Sequence, residues 1–230
     1  MDHETVLVVA AHPDDEVLGC GAAMARHAAE GDPCHVLILA EGATSRDDAR
    51  DPGARAPELA ALREQARKAA DILGSRGLEM AGLPDNRMDT VPLLDVVKIV
   101  EGAISRVRPT VIYTHFGGDL NVDHRITARA VETATRPLAG NIVKAVYTFE
   151  ILSSTEWNFS DAFPAFRPNH FVNVEGFVDK KIAALECYQS ETNAFPHPRS
   201  REAVNALAAL RGSQSGLRAA EAFRVVRQIR

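Results

Sequence analysis

Cysteine is scarce: Cys20, Cys34 and Cys187 are the only three in 230 residues, widely spaced and without a CxxC pair. That excludes a disulfide-stapled scaffold, gives no thiolate zinc site, and points to a reducing, cytoplasmic setting. Positive charge is also short, with 26 Lys and Arg against 31 Asp and Glu. The basic footprint that a dedicated nucleic-acid binder needs to displace phosphate counterions is therefore missing. No apolar run is long enough to cross a bilayer. The opening stretch MDHETVLVVAAHPDDE sets acidic residues on both sides of a short apolar run, unlike the basic start and longer apolar core of a signal peptide. A small-molecule substrate, with no nucleic acid and no membrane, is the expected partner. The 46% hydrophobic content is enough for a real core, and the length favours one domain over residues 1–230.

What is present is a repeated strand–turn–helix pattern. Val6 to Ala11 is continuously apolar and rich in β-branched residues, as a parallel strand covered on both faces would be. A helix pattern follows from Glu16 to about Ala29, closed by Gly31-Asp32-Pro33, and Val36 to Ala40 repeats the strand signal. Helices over 58–73 and 91–107, a short strand at 78–81 and a strand at 110–114 continue the alternation. A glycine loop over 115–122 leads into a helix from Asp123 to about Thr135. Strands at 143–149 and 170–174, then helices near 177–188 and 200–210, complete the pattern. The expectation is an α/β, Rossmann-like doubly wound fold with a mostly parallel sheet and a C-terminal elaboration.

In such a sheet, ligands bind beyond the carboxyl ends of the strands. His12-Pro13-Asp14-Asp15-Glu16 stands after the first strand, and His115 to His124 after the fourth. An imidazole beside two carboxylates suits a divalent metal site with a spare base, although a single Asp there could serve only as a helix cap. His12, Asp15 and His124 would supply two nitrogens and one oxygen. Asp14 would stay free as a base, and Asp123 or His115 would support a ligand imidazole.

AHPDDE with a distant NVDHR resembles the PIG-L/LmbE family of zinc-dependent N-acetylglucosaminyl deacetylases. EGATSRD, LPDNRMDT, YQSE, HPRS, RGSQSG and AEAFR resemble further segments of that family, so the likeness covers nearly the whole chain. It implies one Zn²⁺ per chain, or another divalent ion, held by His12, Asp15 and His124. It also implies a zinc-bound water attacking the amide with Asp14 as general base, and the possibility of a homotrimer or hexamer. The substrate implied is an N-acetylated amino sugar in a small glycoside, nucleotide-linked sugar or disaccharide. One pattern departs: relatives acting on thiol-precursor glycosides often carry a Tyr and a His where this chain has Asp119 and Asn121. His197 resembles a histidine of the diacetylchitobiose deacetylase branch that polarises the carbonyl, so it is the second catalytic candidate; the plainer reading is a loop histidine between two prolines.

Arg46 and Arg87 are candidate sugar or phosphate contacts, or else surface partners of Asp47 and Asp89. Residues 48–55 suit either a lid or a disordered loop. Gly19-Cys20-Gly21 lacks the full dinucleotide spacing and reads as close helix packing. His3, His27, His35 and His170 lack neighbours at ligand spacing, and Trp157 and Phe159 read as buried against the sheet. Rival functions are an amidase of a larger acyl or thiol conjugate, and a non-catalytic sugar-binding module.

Overall fold

The computed structural model describes residues 3–229. Its strands are β1 (Val6–Ala10), β2 (Cys34–Ala40), β3 (Gly77–Leu83), β4 (Val111–His115), β5 (Ala145–Phe149), β6 (His170–Asn173) and β7 (Ala220–Gln228). The helices are α1 (Asp15–Glu30), α2 (Ala56–Leu73), α3 (Leu93–Val107), α4 (Val122–Ala134), α5 (Val178–Leu185) and α6 (Arg201–Ser213). The strands form one sheet in the order β3-β2-β1-β4-β5-β7-β6.

The fully apolar run of β1 follows from its place in the middle of this order. It pairs in parallel with β2 on one side and β4 on the other. Val6, Val8 and Ala10 join the core shared with α1, α2 and α5, while Leu7 and Val9 join the core under α3 and α4. Both faces are covered, so no position along the strand tolerates a polar side chain. From β1 the chain winds outward through β2 to β3, then crosses back to lay β4 on the other side of β1. The order reverses between β1 and β4, which opens a crevice at their carboxyl ends. The doubly wound, mostly parallel sheet matches the expectation from sequence.

The elaboration contains a strand that sequence reading missed. β7 runs antiparallel to both β5 and β6 and lies between them. The β6 ladder covers only Ala220 to Phe223, and beyond it exposed and half-buried residues such as Arg224, Val225 and Val226 alternate. Arginines in that half hide the apolar run that marks the other strands. A second correction concerns Trp157 and Phe159, which are 41% and 88% exposed rather than buried against the sheet.

α1 is broken at Cys20 (φ −150°, ψ 23°). The freed backbone groups are taken up from the far end of the chain. Lys181 donates to the Leu18 carbonyl at 2.7 Å, and Glu221 accepts from the Ala22 and Ala23 amides at 3.1 and 2.7 Å. The two side chains also pair with each other at 2.6 Å, so the break leaves these buried polar groups partnered. Gly19 lies against the Phe149 ring, where a Cβ would come within 2.4 Å of a ring carbon.

Gly19→Ala should therefore destabilise the protein by roughly 1–3 kcal/mol through overpacking. Gly102→Ala in α3, where only the flexible end of Arg106 is near at 3.2 Å, should stabilise it by up to about 1 kcal/mol through helix propensity. Urea denaturation of the two variants beside the parent measures both. Equal effects would show that Phe149 moves aside freely.

Candidate metal centre

The crevice between β1 and β4 is where two turns meet. After β1 the chain turns through His12 to Asp14, and Asp15 opens α1. After β4 the glycine loop leads to Asn121, whose side chain caps α4 by accepting from the Asp123 amide at 2.8 Å. That cap sets the first turn of α4, and with it His124, facing the β1 turn.

His12, Asp15 and His124 converge as a potential three-ligand group. Nδ1 of His12 lies 3.1 Å and Nε2 of His124 3.2 Å from the same oxygen, Oδ2 of Asp15. A tetrahedral ion with metal–ligand bonds of about 2.0–2.1 Å separates neighbouring donors by about 3.3 Å, so the spacing suits a divalent cation. The other oxygen of Asp15 is buried without a hydrogen-bond partner. Such an orphaned carboxylate oxygen is costly unless a cation satisfies it.

Each imidazole is held from behind by a carboxylate. Nε2 of His12 meets Asp123 at 3.1 Å, and Nδ1 of His124 meets Asp119 at 3.0 Å. This arrangement fixes ring orientation and raises ligand basicity. Asp123 is itself held by the Asn86 and Met88 amides at 2.7 and 3.0 Å. Asp119 accepts from the Asn121 amide at 2.8 Å, from the Thr155 hydroxyl at 2.5 Å and from the Ser154 hydroxyl. His115 lies beneath the group with no exposed surface. Its Nε2 accepts from the Ala11 amide at 2.8 Å, and its ring stacks on His124 at 4.0 Å between centroids. It supports the floor and does not face the cleft.

The electrostatics describe a place that attracts positive charge. Burial disfavours the imidazolium of His12, but Asp123 and Asp15 outweigh it and hold His12 well above the ordinary histidine range. His124 is pushed up to about 9: burial acts against it, and Asp15 and Asp119 prevail. Asp15 stays well below the carboxylate range, because His124, His115 and His12 overcome its burial.

Asp14 differs from its neighbours. Its backbone adopts φ 110°, ψ −27°, and its carboxylate makes no cap bond although it occupies the N-cap of α1. Burial raises its carboxyl well above the usual range, with Arg199 pulling the other way. Asp14 lines a cleft of about 210 Å³ together with His12, His124, Ser154, Arg46 and Arg199.

The other residues singled out from sequence fall in different places. Arg46 lines the cleft and pairs with Glu191 at 2.8 Å. Arg87 instead donates to the Asp48 carbonyl at 3.1 Å, in the 48–55 loop that Arg50–Glu41 and Arg55–Asp47 pairs also fasten. His197 is outside the cleft lining, its Nδ1 accepting from the Arg199 amide at 3.1 Å. His27, read as lacking an acidic neighbour, pairs with Asp32 at 2.8 Å at a separate spot near the start of the chain. Arg199, Glu191 and Ser154 escaped sequence reading as individual residues. The YQSE and HPRS segments, which contain Glu191 and Arg199, held the available hints.

Residues 7–135 match the family model described as PIG-L: GlcNAc-PI de-N-acetylase. The chain is 25% identical over 189 residues to a probable N-acetyl-alpha-D-glucosaminyl L-malate deacetylase 2 of Bacillus anthracis, covering 81% of this chain and 80% of that protein. It is 30% identical over 214 residues to a 4-oxalmesaconate hydratase of Pseudomonas putida, covering 84% and 76%. Among solved structures, the N,N'-diacetylchitobiose deacetylase of Pyrococcus horikoshii shares the fold with a TM-score of 0.77 at 17% identity, covering 98% of this chain and 85% of that one.

The raised histidine fixes the sign of a pH dependence. With its folded-state value near 9, above the ordinary value of about 6.5, His124 in chelator-treated protein contributes stability that is full below about pH 6.5 and lost as pH rises through about 9. A divalent cation must displace that proton, so Zn²⁺ affinity should climb with pH until about 9. Asp119→Asn, which removes the carboxylate behind His124, should weaken that affinity about 10–100-fold. Calorimetric titrations at several pH values check both; a flat profile would mean the imidazole is not a ligand.

Proposed function

The chain belongs to the PIG-L family, and from that premise we propose that it is a divalent-metal-dependent N-deacetylase of an amino sugar carried in a small glycoside, nucleotide-linked sugar or disaccharide. The observation that carries this reading is the position of Asp14: a cleft-lining carboxylate in a strained backbone conformation, next in sequence to a ligand group that it does not join. A helix cap or a surface turn would not need that strain. A binding module would not need a spare carboxylate beside three candidate ligands.

His12, Asp15 and His124 would hold a divalent ion, Zn²⁺ in our reading, which when bound would supply Lewis-acid chemistry toward the amide carbonyl and the attacking water. The chain's own residues then move the proton. Asp14 accepts it from the attacking water as the oxygen bonds to the amide carbon. It delivers the proton to the sugar nitrogen as the carbon–nitrogen bond breaks, leaving acetate and a free amine. Asp119 and Asp123 keep the two imidazoles aimed throughout, and Arg46 on the cleft wall is placed to bind sugar hydroxyls. His197 acts in this scheme by supporting the Arg199 turn.

A second reading has a specific observation behind it. The relative with 30% identity over 84% of this chain is named a hydratase, and a cation beside a free carboxylate also suits addition of water to a carbon–carbon double bond. The family model and the deacetylase relative favour amide hydrolysis.

Acetate release from a panel of N-acetylglucosaminides distinguishes these readings. The parent protein, loaded with about one metal ion per chain, should release acetate, and Asp14→Asn should lose roughly 10²–10⁴-fold in rate while keeping its metal. Hydration of unsaturated dicarboxylates with no acetate from the panel would replace the deacetylase reading with the hydratase one.

A further inference from the structure

Arg199 comes to the cleft from the opposite end of the sequence, 185 residues beyond Asp14. Its side chain is 19% exposed and is engaged through Nε and Nη1. Nε donates to the Ser153 hydroxyl at 2.8 Å, while Nη1 donates to Oδ2 of Asp14 at 2.5 Å and to Oε2 of Glu191 at 3.1 Å. The backbone amide of Arg199 is held by His197. Such a fork is fixed in position and direction before any substrate arrives.

Asp14 needs that partner, because local structure fixes its backbone and leaves its carboxylate free. The Asp14 amide donates to Glu16 at 3.1 Å, and Glu16 is anchored in turn by the Tyr188 hydroxyl at 2.5 Å. Those contacts hold the left-handed turn. The carboxylate makes no cap bond to α1, and among the described residues Arg199 is the one side chain hydrogen-bonded to it. Without Arg199, no side-chain hydrogen bond among the described residues holds the Asp14 carboxylate in one rotamer.

We propose that Arg199 is a positioning residue for Asp14, a guanidinium fixed by Ser153 and Glu191 that aims the carboxylate toward the attacking water. The inference rests on the reading of Asp14 as the base. The role is distinct from the carbonyl polarisation that the resemblance implied for His197. Lysine cannot substitute, since a single ammonium lacks the planar fork that spans Ser153, Asp14 and Glu191 together.

The test uses the metal-loaded full chain and any panel compound that the parent protein turns over. Arg199→Ala should lower kcat roughly 10–100-fold, the scale on which small misplacements of reacting groups act. KM and metal content should change little, and Arg199→Lys should recover little of the rate. Millimolar guanidinium ion should restore part of kcat in Arg199→Ala and none in Asp14→Asn. Adding Arg199→Ala to Asp14→Asn should cost no further rate, because the arginine acts through the carboxylate. Losses that multiply, or a change confined to KM, would overturn the proposal.

Thermal unfolding of the chelator-treated protein provides a readout without turnover. Arg199→Ala should lower Tm by leaving a buried carboxylate unpaired, and Asp14→Asn in that background should raise it again. Tm shifts that simply add would overturn the pairing on which the proposal stands. A parent protein that acts on no N-acetylated compound, but shows the non-additive Tm shifts, would sink the proposed function and leave the Arg199–Asp14 pairing standing.

Discussion

One buried carboxylate, Asp15, sets one oxygen among three imidazoles and leaves the other unpartnered. Burying that much polarity near the centre of a sheet is costly unless the partners are held to within a few tenths of an ångström. Much of the surrounding architecture meets this demand. The reversal of strand order between β1 and β4 opens the space, and the two turns at that edge deliver the candidate ligands from opposite sides. Carboxylates at Asp119 and Asp123 then stop the rings from turning. Their own hydrogen bonds come from Asn86, Met88, Asn121, Ser154 and Thr155, on three separate loops.

The layering of these supports explains what could be read from the sequence. His12 and Asp15 follow a strand signal within a few residues and His124 lies in the first turn of the helix after β4 and its glycine loop, so local pattern and the topology rule together bring them to one sheet edge. Asp123 is legible for the same reason, being the neighbour of a ligand. Asp119 looked like a departure because the residue type differs from that of relatives, yet in space it fills a definite place behind His124. Ser154 carries no local mark, and Glu191 and Arg199 lie in the short YQSE and HPRS segments, which do not by themselves assign a role. Their positions follow from how the chain beyond residue 150 folds back over the cleft, and a linear pattern carries no trace of that path. β7 was hidden for a different reason: its outer half is exposed, so charged residues occupy positions that are apolar in the inner strands.

Asp14 and Asp15 show how adjacent, chemically identical side chains acquire different roles. Asp15 points inward among the imidazoles and stays ionised through their charge. Asp14, one residue earlier and in a left-handed conformation, points into the cleft and meets a guanidinium. The backbone strain at Asp14 separates the two directions. It is held by Glu16 in the first turn of α1 and, through Glu16, by Tyr188 just beyond α5, so a local conformational cost is offset by a long-range contact.

The position of β7 has a consequence in time as well as in space. This strand leaves the ribosome after the other six, yet it lies between β5 and β6. Until it arrives, β5 ends the growing sheet with an open edge, and β6 has no neighbour to pair with. Glu221, which satisfies the broken middle of α1, belongs to that same late strand. During synthesis the candidate ligands are therefore made early and secured late, and the nascent chain carries an unpaired β5 edge until β7 has been translated.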